Sequence, residues 1–159
     1  GTDFKCFVLG LRRLYQVHGG LEGCFTHYAE KGDMAEAISS VRELFFSRPH
    51  PPRSEKHFSN PARGSAAKRL NMFLRWMVRS PENGVDFGLW KGITPAQLSC
   101  PLDVHSGTVA RALGLLKRKQ NDARAVAELD RSLRKLDPED PVKYDFALFG
   151  LGVFEGFPG

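Results

Sequence analysis

The sequence is short of cysteine, of long apolar runs and of strand-like alternation, and each shortage removes a class of protein. Its three cysteines, Cys6, Cys24 and Cys100, are odd in number and far apart. That excludes a disulfide framework, a four-cysteine metal site and an iron–sulfur cluster, and it predicts reduced, mostly buried thiols. No apolar stretch is long enough to cross a bilayer and no charged-then-apolar leader opens the chain, so a cytoplasmic protein without a membrane partner is expected. His18 and His27 fall near predicted helix ends, and His50 and His57 lack a ligand-like spacing, so neither metal nor cofactor is expected. The chain begins Gly1-Thr2-Asp3, without methionine, and reads as a fragment lacking its N-terminal helices.

What is present suits a single all-α domain over residues 1–159, because a chain of this length with 42% hydrophobic residues can bury a real core. Apolar residues at helical spacing (Phe4, Phe7, Val8, Leu11, Leu14 and Tyr15) predict a helix closed by Gly19-Gly20, with this face buried. A second helix follows from Leu21 to about Lys31. Asp33 and Glu36 then stand at capping-box spacing before Met34, Ile38, Val41 and Phe45. Pro49, Pro51 and Pro52 forbid a helix in the Ser47–Ser59 stretch, which reads as a loop.

Downstream, Pro61-Ala62-Arg63-Gly64 makes a turn and Ser65 caps a helix running to about Arg79, with Ala66, Leu70, Phe73, Leu74 and Met77 inward. Ser80–Trp90 is turn-rich and reads as loosely packed. Thr94-Pro95-Ala96-Gln97 is a further capping box. Asp103 or Ser106 starts a helix carrying Val109, Ala110 and Leu113 inward and Arg111 outward, with Gly114 as its stop. Asn121 or Asp122 starts the next, with Val126, Leu129, Leu133 and Leu136 in register. Pro141–Leu151 closes the chain.

Charge is concentrated. Between Arg48 and Arg79 eight basic residues face one acidic residue, Glu55, a local +7 in a chain whose net charge is +5. A basic field confined to one stretch suits a polyanion, since neutralised phosphates release counterions. A glycine turn opening into a helix also presents amides to a phosphate, which makes Gly64 and Ser65 candidate contacts to a polyanion such as DNA, with Arg63, Arg69 and Arg75 of the basic stretch and His105 at a later helix start as further candidates.

Two blocks carry a resemblance. Gly64–Lys68, followed by Pro101-Leu102-Asp103-Val104-His105 and Val109-Ala110-Arg111-Ala112-Leu113-Gly114-Leu115, resembles the helix-hairpin-helix DNA glycosylase superfamily, which includes endonuclease III and the 8-oxoguanine glycosylases. The chain as a whole is similar to an uncharacterised bacterial family within it, with Lys68–Met77 and Tyr144–Gly152 as signature segments. The resemblance implies a compact multi-helix fold of that type. It implies a monomeric base-excision enzyme that flips a damaged base, such as an oxidised purine, out of double-stranded DNA and cleaves its glycosidic bond. Asp103 matches the catalytic aspartate, and Lys68 matches the amine nucleophile of members that also cleave the strand as lyases. The lysine-to-aspartate interval is longer than in the better-known members, so helical phase leaves Asn71 as a rival for the nucleophile position. Two other readings stay open: a non-catalytic helical DNA-binding module, in which Asp103 is only a helix cap, and a helical protein-interaction domain.

Overall fold

The computed structural model describes residues 1–157, and among these all regular structure is helical, with one strand-like bridge between Ser65 and Asp122. The α-helices are α1 (Thr2–His18), α2 (Leu21–Ala29), α3 (Met34–Phe45), α4 (Lys68–Val78), α5 (Val104–Ala112), α6 (Ala123–Leu136) and α7 (Asp145–Val153). Short 3-10 turns span Pro52–His57, Pro61–Arg63, Pro81–Asn83, Pro95–Gln97 and Pro141–Tyr144, each opening on a proline. At that position the absent N–H would have had no helical partner, and the fixed φ is already helical.

Local chemistry sets most boundaries. Gly19 ends α1 at φ 73°, a left-handed conformation that glycine adopts without a Cβ penalty. Asp33 caps α3 by accepting from the Glu36 amide at 2.9 Å, and Asp122 caps α6 by accepting from the Ala125 amide at 3.0 Å. The capping box at Thr94 forms as expected, though it closes only a single 3-10 turn.

The apolar residues sort into two cores. One gathers α1, α2 and α3 around Leu14, Phe25, Ile38, Val41 and Phe45; the other gathers α5, α6 and α7 around Val109, Leu116, Leu129, Leu133 and Leu148. Helix α4 joins them. Its Leu74 and Val78, with Ala67 before it, complete the first core, while Arg75 and Arg79 reach Asp145 and Asp140 of the second half.

Several expectations are corrected. On α1 only Gly10 and Leu14 are buried, and Phe4, Val8, Leu11 and Tyr15 form an exposed stripe. The Gly10 face can pack inward because glycine has no Cβ, which would otherwise run into the Phe45 ring. Leu113 and Leu136 are about half exposed, since each lies at the end of its helix beyond the packed neighbours. The Ser80–Trp90 stretch is not loose: the amides of Phe87 and Trp90 donate to the Trp76 and Met77 carbonyls at 2.7 and 2.8 Å, using acceptors that the end of α4 leaves free.

Candidate functional site

The turn before α4 is built differently from its sequence expectation. The helix starts at Lys68, not Ser65, because Ala67 sits at φ 47°, a left-handed conformation uncommon for a residue with a Cβ. Ser65 instead accepts from the Ala67 amide at 3.1 Å through its hydroxyl. The amides of Arg63, Gly64 and Ser65 are used inside the turn, donating to the carbonyls of Asn60, Pro61 and Asn60 at 3.1, 2.9 and 3.2 Å. They are therefore not the outward-facing phosphate donors that the sequence suggested. The turn is docked on α6, since the Gly64 carbonyl accepts from the Ala123 amide at 2.9 Å. What faces outward is the first turn of α4, which no side chain caps, together with the exposed side chains of Arg63 and Arg69. A helix start left open in this way favours an anion.

Asp103 lies at the start of α5 and caps it. Its Oδ1 accepts from the Ser106 amide at 2.9 Å, while Ser106 Oγ accepts from the Asp103 amide at 3.0 Å, a reciprocal box. The second carboxylate oxygen, Oδ2, lies 2.8 Å from Lys68 Nζ. The fold thus brings together two side chains separated in the chain by the whole Ser80–Ser99 stretch. The Asp103 side chain is 16% exposed and that of Lys68 is 41% exposed, so the pair is reachable from solvent but partly shielded from it. Burial pushes the Asp103 carboxyl up, but hydrogen bonds from Lys68 and from the Ser106 amide and hydroxyl, with the Lys68 charge, outweigh burial and hold it below its ordinary value. Asp103 is thus an ionised acceptor at neutral pH, in contact with Lys68 Nζ.

Asn71 does not join this pair. It is 4% exposed, its Nδ2 donates to the Ala66 carbonyl at 3.1 Å, and its Oδ1 has no donor. It lines a cavity of about 180 Å³ that Lys68 and Asp103 do not line. Of the two rivals, Lys68 is the one in contact with Asp103. His105 is exposed on the first turn of α5, with its ring edge-on to Phe149 at 6.2 Å. Nearby in sequence, Trp90 is packed against Phe25 and Phe73, whereas Phe87 is 55% exposed.

Arg75 is removed from the candidate DNA contacts. Its guanidinium is buried, donating from Nε to Asp86 Oδ1 at 3.2 Å and from Nη1 to Asp145. Arg79 donates to Asp86 at 2.6 Å and, through two nitrogens, to Asp140 at 2.9 and 2.8 Å, and the Phe146 ring lies under both arginines. Burial pushes the Asp145 carboxyl above its ordinary value in spite of Arg75, and the buried Cys100 thiol donates to its Oδ1 at 3.7 Å. The basic stretch read from the sequence is therefore less basic at the surface than its count, because two of its arginines are turned inward and neutralised. The sequence carried one signal of this: Arg75 and Arg79 lie four apart on a helix already apolar on its other side, so both fall on one face.

All three cysteines are free thiols, and burial pushes that of Cys24 up to about 11. Among the described residues no helix is long and apolar enough to cross a membrane. No curated protein and no solved structure matches the chain. A family model described as a protein of unknown function (DUF2400) does match it, over residues 1–154, and the chain belongs to that family.

Proposed function

We propose that the protein is a base-excision DNA glycosylase of the helix-hairpin-helix type, with Lys68 and Asp103 as its reacting pair. The observation that carries this reading is the 2.8 Å contact between Lys68 Nζ and Asp103 Oδ2, where the uncapped start of α4 meets the start of α5 beside exposed Arg63 and Arg69. Duplex DNA docks by its phosphates on this face, and a damaged nucleotide leaves the stack to meet the pair. Asp103, ionised, stabilises positive charge developing on the sugar, and the proton that Lys68 sheds passes to solvent. The Lys68 amine then bonds to the sugar C1′ as the glycosidic bond breaks and the base leaves with the bonding electrons; the nitrogen loses a proton, the C1′–O4′ bond breaks as the ring oxygen takes one, and the nitrogen lone pair closes a protonated imine that opens the way to strand cleavage.

Sodium borohydride reduces such an imine to a stable amine. Incubating the protein with a duplex holding an oxidised purine, then reducing, is expected to give a covalent protein–DNA adduct. Lys68→Ala removes the adduct, and Asp103→Asn slows base release by about 100-fold or more. Base release that survives both substitutions sinks the proposal.

A second reading, a DNA-binding module without chemistry, is favoured by one observation: both Asp103 oxygens are already engaged, one in the cap and one with Lys68. It predicts duplex binding with no base release from any lesion. The exposed apolar stripe on α1 favours the third, a protein-interaction domain, which predicts no duplex binding that falls with salt.

A further inference from the structure

We propose that the cavity between the two cores is a second binding site, which takes a planar amidinium-type cation, and that Asn71 and Asp130 recognise it. The proposal does not depend on the DNA reading, since the cavity is lined by neither Lys68 nor Asp103.

Two observations from different helices carry it. On α4, Asn71 is buried with its amide nitrogen already engaged, which leaves an acceptor oxygen without a donor. Orphaned buried acceptors are uncommon because they lose their hydrogen bonds to water without replacement. On α6, Asp130 is 5% exposed; one carboxylate oxygen accepts from the Cys100 amide at 2.8 Å, the Ser99 side chain also hydrogen-bonds the carboxylate, and the guanidinium of Arg134 stands 3.9 Å from the other oxygen. Arg134 itself is committed to the Leu98 carbonyl at 2.9 Å and, more weakly, to that of Ala96. Burial pushes the Asp130 carboxyl up to about 6 despite that guanidinium, so its surroundings are short of positive charge. Both groups ask for N–H donors, and one asks for a cation.

Size and shape narrow the class. At about 180 Å³ the cavity has room for about six waters at liquid density, and a cavity of about 150 Å³ accepts a benzene-sized ring. Ile38 and Pro61 on one side and Ala123 and Val126 on the other give apolar walls to a flat group. An amidinium on a ring offers a flat body to those walls and a fork of N–H donors, the geometry that pairs with a carboxylate through two parallel bonds.

The test titrates the full chain with benzamidine, followed by calorimetry or by amide NMR shifts, with neutral benzamide as the matched control. Saturable one-to-one benzamidine binding is expected, at least about tenfold tighter than benzamide. Asp130→Asn keeps an acceptor for the Cys100 amide and so keeps the fold, yet it should weaken benzamidine by about tenfold or more. Asn71→Leu should weaken it as well; if that variant fails to fold, Asp130→Asn and the benzamide comparison still decide. No saturable binding at millimolar concentration, equal binding of benzamide, or an unchanged affinity in Asp130→Asn overturns the proposal and leaves a water-filled cavity.

Discussion

At the scale of single residues, Asp103 holds two roles that substitution can separate. As the cap of α5 it needs a short side chain that accepts from the Ser106 amide, and asparagine does this about as well as aspartate. As the partner of Lys68 it needs its charge. Asp103→Asn is therefore expected to leave thermal stability close to the parent while breaking the ion pair, whereas Asp103→Ala loses the cap and about 1 kcal/mol in chemical denaturation. A loss in Asp103→Asn equal to that in Asp103→Ala would show that the charge, not the cap, carries the stability. Asp130 gives the opposite case. Its folded pKa is raised to about 6 from an ordinary 3.8, so the folded state binds the proton more tightly than the unfolded one. Stability from that proton is fully present below about pH 4 and is lost as pH rises through about 6. Asp130→Asn should accordingly stabilise the protein by about 1 to 3 kcal/mol at pH 8, with the gain vanishing near pH 4, as read from unfolding curves at the two pH values.

At the scale of elements, α4 explains why a helix so rich in basic residues is buried at all. Its Leu74 and Val78 side meets the first core, and its Arg75 and Arg79 side meets Asp86, Asp140 and Asp145. Removing one partner from a buried ionic cluster leaves a charge without solvent or counter-charge. Asp86→Ala should therefore cost about 3 to 5 kcal/mol in chemical denaturation, whereas Arg69→Ala on the exposed side should stay within about 0.5 kcal/mol. An Asp86→Ala cost under 1 kcal/mol would show that the network is not holding the halves together. The same cluster shows where reading the chain in order stops working. Asp86 lies in a stretch of turn formers that reads as loosely packed, and only the return of that stretch to the carbonyls of α4 places its carboxylate beneath the two arginines.

At the scale of the whole molecule, surface charge is decided by which basic residues face out. Arg63 and Arg69 are exposed beside the open start of α4, and Arg75 is not. If duplex DNA docks here, affinity should fall steeply with salt, and Arg63→Ala and Arg69→Ala should each lower the steepness of the log–log salt plot by about one. Variants of the α1 stripe, such as Tyr15→Ala, should leave that slope unchanged. A slope that Arg63→Ala and Arg69→Ala do not alter would move the DNA face elsewhere on the molecule.

The resemblance to a known superfamily singled out Lys68 and Asp103; the residues by themselves determined the helical class and most helix starts and stops. These follow from interactions within about four residues: an aspartate accepting from an amide three positions on, a glycine free to turn left-handed, a proline needing no donor. The sequence misjudged the start of α4, the packed face of α1 and the fate of Arg75, because those depend on what lies across the fold. Only the tertiary structure decided that Lys68, and not Asn71, meets Asp103, and that Asn71 turns instead to a cavity between the cores. The reason is reach: a cap is satisfied by its own chain neighbours, whereas an ion pair or a cavity is made by segments distant in sequence, whose meeting is set by how both cores pack.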